Sequence, residues 1–394
     1  MNAASPRDRH AAAPPGTSIA IHASAMDATT RPDRLDQLTG VLLGTAVGDA
    51  LGLPREGLTP WRAARLYGTS PLRHRFVLGR GMVSDDAEHA CMTAQALLAA
   101  PDDDARFARS LAMRLRGWFV ALPAAMGWAT LRAIVKLWLG FPADRSGVFS
   151  AGNGPAMRAP VIGACLAATP ARIAPAVRAS TRLTHTDPRA EEGALVIALA
   201  AAHGVTRGPH GVDAPALLDE LRRHVTGDEL RRALDQVADH LARGASATDL
   251  VAALGLERGV TGYMLHTVPA ALFCWLQSPG DVARSVEEII LLGGDADSTG
   301  AIVGGLAGAT AGASAIPPAW LDGICDYPRS ISWMRRLGAR LAARFGGASA
   351  AVSALEPGDR LGPLPLFWPA IFPRNAVFLA LALAHGFRRM FPPY

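Results

Sequence analysis

The chain has 394 residues, half of them apolar, with 40 glycines and 6% aromatics. Such a composition supplies one large core and points to closely packed helices rather than a β-sandwich. Its net charge of +5 comes from scattered arginines, with no run of like charge and no basic segment interleaved with aromatics, so specific nucleic-acid binding is not expected.

Residues 1–34 mix Ala, Pro, Asp, Arg and Thr without the apolar stretch of a secretory signal, and are expected to form a disordered tail. The first predicted helix carries Gly40, Gly44, Gly48 and Gly52 at every fourth position of GVLLGTAVGDALG. On a helix these glycines form one stripe. Each costs roughly 1 kcal/mol against alanine, so another backbone must pack closely against them. In an uninterrupted apolar segment the stripe would suggest association within a membrane. Asp49 interrupts it here, and a soluble core is the reading. Asp49 is expected to cap or pair locally, and Glu56, between Pro54 and Gly57, to sit on a solvated loop.

Ser84-Asp85-Asp86 opens the next helix. Ser84 suits the N-cap, and the aspartates suit the first turn, where the helix dipole favours negative charge. Taken alone, such a cluster commonly does no more than cap. Residues 111–140 read as a helical hairpin; their uncharged run of about fourteen residues is shorter than a bilayer span and contains Pro123. Asn153 and Gly154 fall in a turn, and His185, in THTDP, in an exposed polar loop.

The second acidic cluster, Asp295-Ala296-Asp297-Ser298-Thr299, follows Gly293-Gly294 and runs into another stripe, Gly300, Gly304, Gly308 and Gly312. After Arg344 come a Gly/Ser/Ala-rich break, a Pro-rich connector (Glu356 to Pro373) and a last helix from Asn375 to Phe387, too short to span a bilayer. Strand-like alternation is scarce. The whole reads as all-α: one helical domain over 35–345, with the connector and terminal helix in 346–394. The four cysteines, Cys91, Cys165, Cys274 and Cys325, show no paired-ligand spacing and read as buried free thiols of a reducing cytoplasm.

A lone DxD carries little information. Two acidic clusters with adjacent hydroxyls at two helix starts carry more, because Mg²⁺ and Mn²⁺ prefer oxygen donors and two such ions can share carboxylates.

GVLLGTAVGDALGLPREG, SDDAEHACM, GNGPAMRAPVIGA, LTHTDPRAEEGA and GGDADSTGAIVGGLAG, in this order, resemble the ADP-ribosylglycohydrolase family over residues 36–345. That family includes the dinitrogenase-reductase-activating enzymes. The resemblance implies an all-α domain with two Mg²⁺ or Mn²⁺ ions, hydrolysing the bond between ADP-ribose and an acceptor such as a protein side chain. It implies Ser84, Asp85, Asp86, Asp295, Asp297 and Ser298 as metal ligands. Glu56 and Asp86 become the expected catalytic residues, with Glu56 activating water or gating the site. Asn153, Gly154 and His185 become substrate contacts. The family usually has threonine where Ser84 and Ser298 stand, a hydroxyl residue at Ala87, and Gln and Met where Glu88 and His89 stand. Two other readings stay open: a non-catalytic ADP-ribose or nucleotide binder, and a metal-dependent hydrolase of another ribosylated small molecule.

Overall fold

The computed structural model describes residues 32–124, 126–347 and 361–392. Nearly all of the expected N-terminal tail, and most of the Gly/Ser/Ala-rich break with the start of the connector, lie outside the described residues. Within them the secondary structure is helical, with isolated β-bridges and no named strand. In chain order the helices are α1 (Arg34–Gly52), α2 (Pro60–Tyr67), α3 (Asp85–Ala99), α4 (Asp104–Val120), α5 (Trp128–Trp138), α6 (Gly154–Leu166), α7 (Ile173–Arg182) and α8 (Pro188–Arg207). There follow α9 (Ala214–Arg223), α10 (Asp228–Ala242), α11 (Ala247–Ala253), α12 (Met264–Gln277), α13 (Val282–Leu291), α14 (Ala296–Ala311), α15 (Pro318–Gly323), α16 (Ile331–Phe345) and α17 (Ile371–Arg388).

The two glycine stripes face each other. A Cβ added at Gly40, Gly44, Gly48 or Gly52 would lie 2.2, 2.0, 1.9 or 2.2 Å from the carbonyl oxygen of Gly308, Gly304, Gly300 or Ala296. The pairing runs in opposite directions, so α1 and α14 are antiparallel. Only hydrogen at these positions lets the two backbones touch. Gly312, with a φ of +87°, ends α14 as its C-cap but still packs on α1, a Cβ on Gly40 lying 2.7 Å from its carbonyl carbon.

Residues 37–52 of α1 are all buried, as are nearly all residues of α14 and α6. A helix that is apolar around its whole circumference belongs inside a core rather than on its surface. Around this centre pack α3, α8, α12 and α16. Gly163 of α6 meets the Ala198 carbonyl of α8, and Gly338 of α16 meets the Thr39 backbone of α1. The expected hairpin over residues 111–140 is formed by α4 and α5.

The antiparallel pairing has one result that matters for chemistry. It brings the C-terminal end of α1, which leads to Glu56, beside the N-terminal end of α14, which carries the second acidic cluster.

The terminal helix α17 starts at Ile371, earlier than expected, because Pro373 falls in the first turn where its missing N–H leaves no bond unmade. With the preceding 3₁₀ turn it forms an apolar stretch of 21 residues, Trp368–Arg388. By length and composition alone that is enough to cross a bilayer, contrary to the sequence expectation. It is docked on the body through Ile371, Asn375 and Phe378, the last packing with Leu53, Phe76 and Met82. Of the cysteines, Cys91, Cys165 and Cys274 are buried free thiols, whereas Cys325 is exposed.

Candidate active site

Ser84 caps α3 as its sequence suggests: its Oγ accepts from the Asp86 amide at 3.3 Å. A second cap comes from a distance. Asp49, fully buried in α1, accepts from the amides of Ser84 (2.8 and 3.0 Å) and Ala87 (3.1 Å). Asp49 therefore caps the neighbouring helix rather than its own. Burial pushes its carboxyl up to about 7, against the pull of those amide bonds.

The second cluster is held by a turn that only glycine can make. Gly293 and Gly294 have φ of +69° and +81°, and a Cβ on Gly294 would lie 2.1 Å from the Val260 carbonyl oxygen. The turn is stitched on two sides. The Gly294 amide donates to Leu58 O (2.8 Å) and the Gly57 amide to Gly294 O (2.6 Å), while the Asp295 amide donates to Val260 O (2.7 Å). The loop bearing Glu56 is thus bonded directly to the turn bearing Asp295. Glu56 is half-buried rather than solvated.

The clusters meet at Asp86. Its Oδ2 accepts from Ser84 Oγ at 3.2 Å and from Ser298 Oγ at 3.1 Å. Its Oδ1 is buried with no hydrogen-bond partner. Asp297 Oδ1 accepts from the Ser298 amide (3.0 Å), and Asp295 Oδ2 accepts from Asn153 Nδ2 (2.6 Å). Asn153 is fixed in turn by Thr267 Oγ1 (3.1 Å) and by its own amide on Gly262 O (2.9 Å).

A cleft of about 660 Å³ opens over this ground. Glu56, Asp85, Asp86, Asn153, Gly154, His185, Asp295, Asp297 and Ser298 all line it, so residues spread along the sequence are brought to one place. Ser84 is buried beneath Asp86 and is not part of the wall. Trp128, Thr130 and Arg258 also line the cleft. Sequence reasoning missed these three: the first two sit at the start of an amphipathic helix and the third in a plain polar loop, with no spacing to mark them.

Crowding dominates the electrostatics. Burial first, and then neighbouring carboxylates, hold Asp85, Asp86 and Asp297 well above the usual carboxylate range. Glu56 is raised by burial and by Asp295, with Arg389 pulling the other way. Asp295 is raised by burial, its hydrogen bonds opposing. His185 is buried rather than exposed, its Nδ1 2.9 Å from Thr184 Oγ1, and burial holds its imidazole down to about 3.

Glu88 and His89 point away from the cleft. Glu88 pairs with Arg329 at 2.6 Å and accepts from Trp118 Nε1. Burial would raise its carboxyl, but Arg329 and Arg374 outweigh that and leave it below its usual range. His89 lies edge-on to Trp118 and is held neutral by burial.

Among the described residues no three His, Cys, Asp or Glu side chains close into a ready-made cage. The oxygens gather instead as carboxylates mixed with serine hydroxyls. The set nonetheless fits hard divalent cations: its donors are oxygens, acidic side chains outnumber basic ones in the cleft lining, and Asp86 Oδ1 is left without a partner.

The ADP-ribosylglycohydrolase family model matches residues 30–351. The chain is 29% identical over 306 residues to ADP-ribosyl-[dinitrogen reductase] glycohydrolase of Rhodospirillum rubrum, covering 74% of this chain and 92% of that protein. An uncharacterised protein of Archaeoglobus fulgidus is 31% identical over 299 residues, with the same coverage of 74% and 92%. A solved structure described as an ADP-ribosylglycohydrolase-related protein complex shares the fold with a TM-score of 0.62 at 29% identity, covering 80% of this chain and 99% of that one. With its glycine-paired core helices and its two acidic helix starts joined at one cleft, the chain belongs to the ADP-ribosylglycohydrolase family.

Proposed function

We propose that the protein is a metal-dependent hydrolase that cleaves the glycosidic bond between ADP-ribose and an acceptor, an ADP-ribosylated protein side chain or a related conjugate. The observation that carries this reading is the Ser298–Asp86 hydrogen bond of 3.1 Å, which joins the two acidic clusters beneath one cleft. Family membership supports the reaction class.

In this reading Ser84, Asp85, Asp86, Asp295, Asp297 and Ser298 hold two Mg²⁺ or Mn²⁺ ions. Bound there, such ions supply Lewis-acid charge and make water more acidic. The protein's own groups do the rest. Glu56, half-buried at the cleft wall, takes the proton from the attacking water. Asp86 and its neighbours place negative charge where an oxocarbenium-like state develops. Gly154, at the start of α6, offers its backbone N–H to ribose and phosphate oxygens, and Asn153, whose own amide is spent on Gly262 O, offers its side-chain oxygen. His185, kept neutral, is a hydrogen-bond partner for a ribose hydroxyl rather than an acid. In this reading residues 35–345 are the catalytic domain, followed in 346–394 by the Pro-rich connector and terminal helix. The buried free thiols agree with a cytoplasmic setting.

The test is release of free ADP-ribose from arginine-, serine- and nucleic-acid-linked conjugates with Mg²⁺, Mn²⁺ or EDTA. Release that survives EDTA, or that persists in Asp85→Asn and Asp295→Asn, removes the metal mechanism. Tight ADP-ribose binding without turnover on any acceptor makes the protein a binder of the same fold.

A further inference from the structure

We infer that the terminal helix α17, which lies beyond the family match, is a splint for the active site and that Arg374 and Arg389 are positioning residues. The inference rests on the metal-site reading of the cleft but is carried by separate contacts.

Arg374 is buried and forms an ion pair with Asp326 at 2.6 Å, its Nε reaching the other carboxylate oxygen at 3.2 Å. Together the two residues hold both backbone polar groups of one residue, Val83. The Val83 amide donates to Asp326 Oδ2 at 3.1 Å, and the Val83 carbonyl accepts from Arg374 Nη2. Val83 immediately precedes Ser84, Asp85 and Asp86. With Asp49 gripping the Ser84 and Ala87 amides from the α1 side, the backbone at the start of α3 is held from two directions. Arg374 also lies 3.5 Å from Glu88, so its charge is shared by two buried carboxylates on either side of the cluster.

At the other end of the same helix, Arg389 donates to the Pro54 carbonyl at 3.1 Å, two residues before Glu56. Its own carbonyl accepts from Arg62 of α2. The two arginines are fifteen residues apart, one in the first turn of α17 and the other its C-cap, a span of about 22 Å at helical rise. One element therefore fixes the chain entering the first acidic cluster and the chain entering Glu56, setting them relative to each other. The helix has other anchors. Asn375 Nδ2 donates to Ala121 O (2.7 Å), and His385 bonds Phe76 O (2.8 Å) and Tyr67 Oη (3.0 Å). Loss of one arginine contact thus leaves α17 docked, which separates positioning from mere attachment.

The experiment uses the full chain with Arg374→Ala, Arg374→Lys, Arg389→Ala and, as a docking control, His385→Ala. Amide exchange over residues 82–88, Mn²⁺ binding by electron paramagnetic resonance, and kcat and KM for ADP-ribose release are measured. In Arg374→Ala, exchange over 82–88 rises and Mn²⁺ affinity falls by about 10- to 100-fold with little change in KM, as for other residues that orient metal ligands. Arg374→Lys recovers part of both. In Arg389→Ala, kcat falls while Mn²⁺ affinity stays, because Pro54 leads to Glu56 and not to the ligands. His385→Ala changes neither exchange over 82–88 nor Mn²⁺ affinity. Wild-type exchange and Mn²⁺ affinity in Arg374→Ala overturn the inference, as do equal losses in His385→Ala. If Arg374→Ala does not fold, the same readings are taken on Arg374→Lys. Absence of Mn²⁺ binding in the wild type would instead remove the proposed function, and exchange over 82–88 would still decide the splint.

Discussion

Ser298 Oγ donates to Asp86 Oδ2 at 3.1 Å across 212 residues of chain, and the other oxygen of that carboxylate is buried without a partner. A single carboxylate is therefore shared by both acidic clusters while half of it remains unused. Without cations, the site concentrates like charges in a poorly solvated place. Such an arrangement is a cost to the fold that a divalent ion, held as proposed, would remove.

Replacing that carboxylate should separate stability from activity. In Asp86→Asn the EDTA-treated protein is expected to melt higher, by roughly 1 kcal/mol or about 1 °C, because a buried carboxyl crowded by other carboxyls gives way to a group that cannot ionise. Wild type should gain about 2.7 kcal/mol of stability when Mn²⁺ is supplied at a hundred times its dissociation constant. Asp86→Asn should lose most of that gain together with turnover. Thermal melts with and without Mn²⁺ read both effects, and a variant that melts lower in EDTA contradicts the crowding argument.

Glu56→Gln isolates the proton-transfer role. The amide keeps the size and polarity of the side chain but cannot take a proton. The expected result is a fall in kcat of about 10²- to 10⁴-fold with KM and Mn²⁺ affinity little changed. Equal loss of Mn²⁺ affinity would make Glu56 a ligand instead.

How much of this was legible in the sequence follows from how local each signal is. The stripes at Gly40–Gly52 and Gly300–Gly308 could be read because helical period is a local rule, although their facing each other required the fold. Ser84 as an N-cap was also local. Asp49 was not, because its partners are amides of another helix. His185 looked like an exposed loop residue, since nothing adjacent to it in sequence reveals what covers it. The hold of Asp326 and Arg374 on Val83 joins three distant segments and left no motif. Gly312 has the spacing of the second stripe and packs on α1, but its φ ends the helix, a distinction that spacing alone does not carry.

The glycine contact can be tested with substitutions of opposite sign. Gly44→Ala places a Cβ 2.0 Å from the Gly304 carbonyl oxygen, so α1 and α14 must part along their length. Urea unfolding should show a loss of about 3 kcal/mol, at the upper end of overpacking effects. Gly117→Ala, in the last turn of α4, meets nothing within 4 Å. The same substitution there should stabilise the protein by about 0.5–1 kcal/mol through helix propensity alone.

Burial of His185 predicts a pH dependence whose sign can be worked out. Its imidazole is held down to about 3, by burial first and by Arg158 second, with Asp187 opposing. In the unfolded chain the group titrates near 6.5. Between these values the unfolded chain binds a proton that the folded protein refuses, so stability rises with pH across that window. The contribution is complete above about 6.5 and is lost progressively as the pH falls toward 3. From pH 7.5 to pH 5 the loss from this one group is about 2 kcal/mol. His185→Asn has no proton to bind in either state, so its urea-unfolding stability should decline less than that of wild type over the same range, by about that amount. Parallel declines in the two proteins would mean that His185 accepts its proton in the folded state, and its role as a neutral partner for a ribose hydroxyl would fall with it.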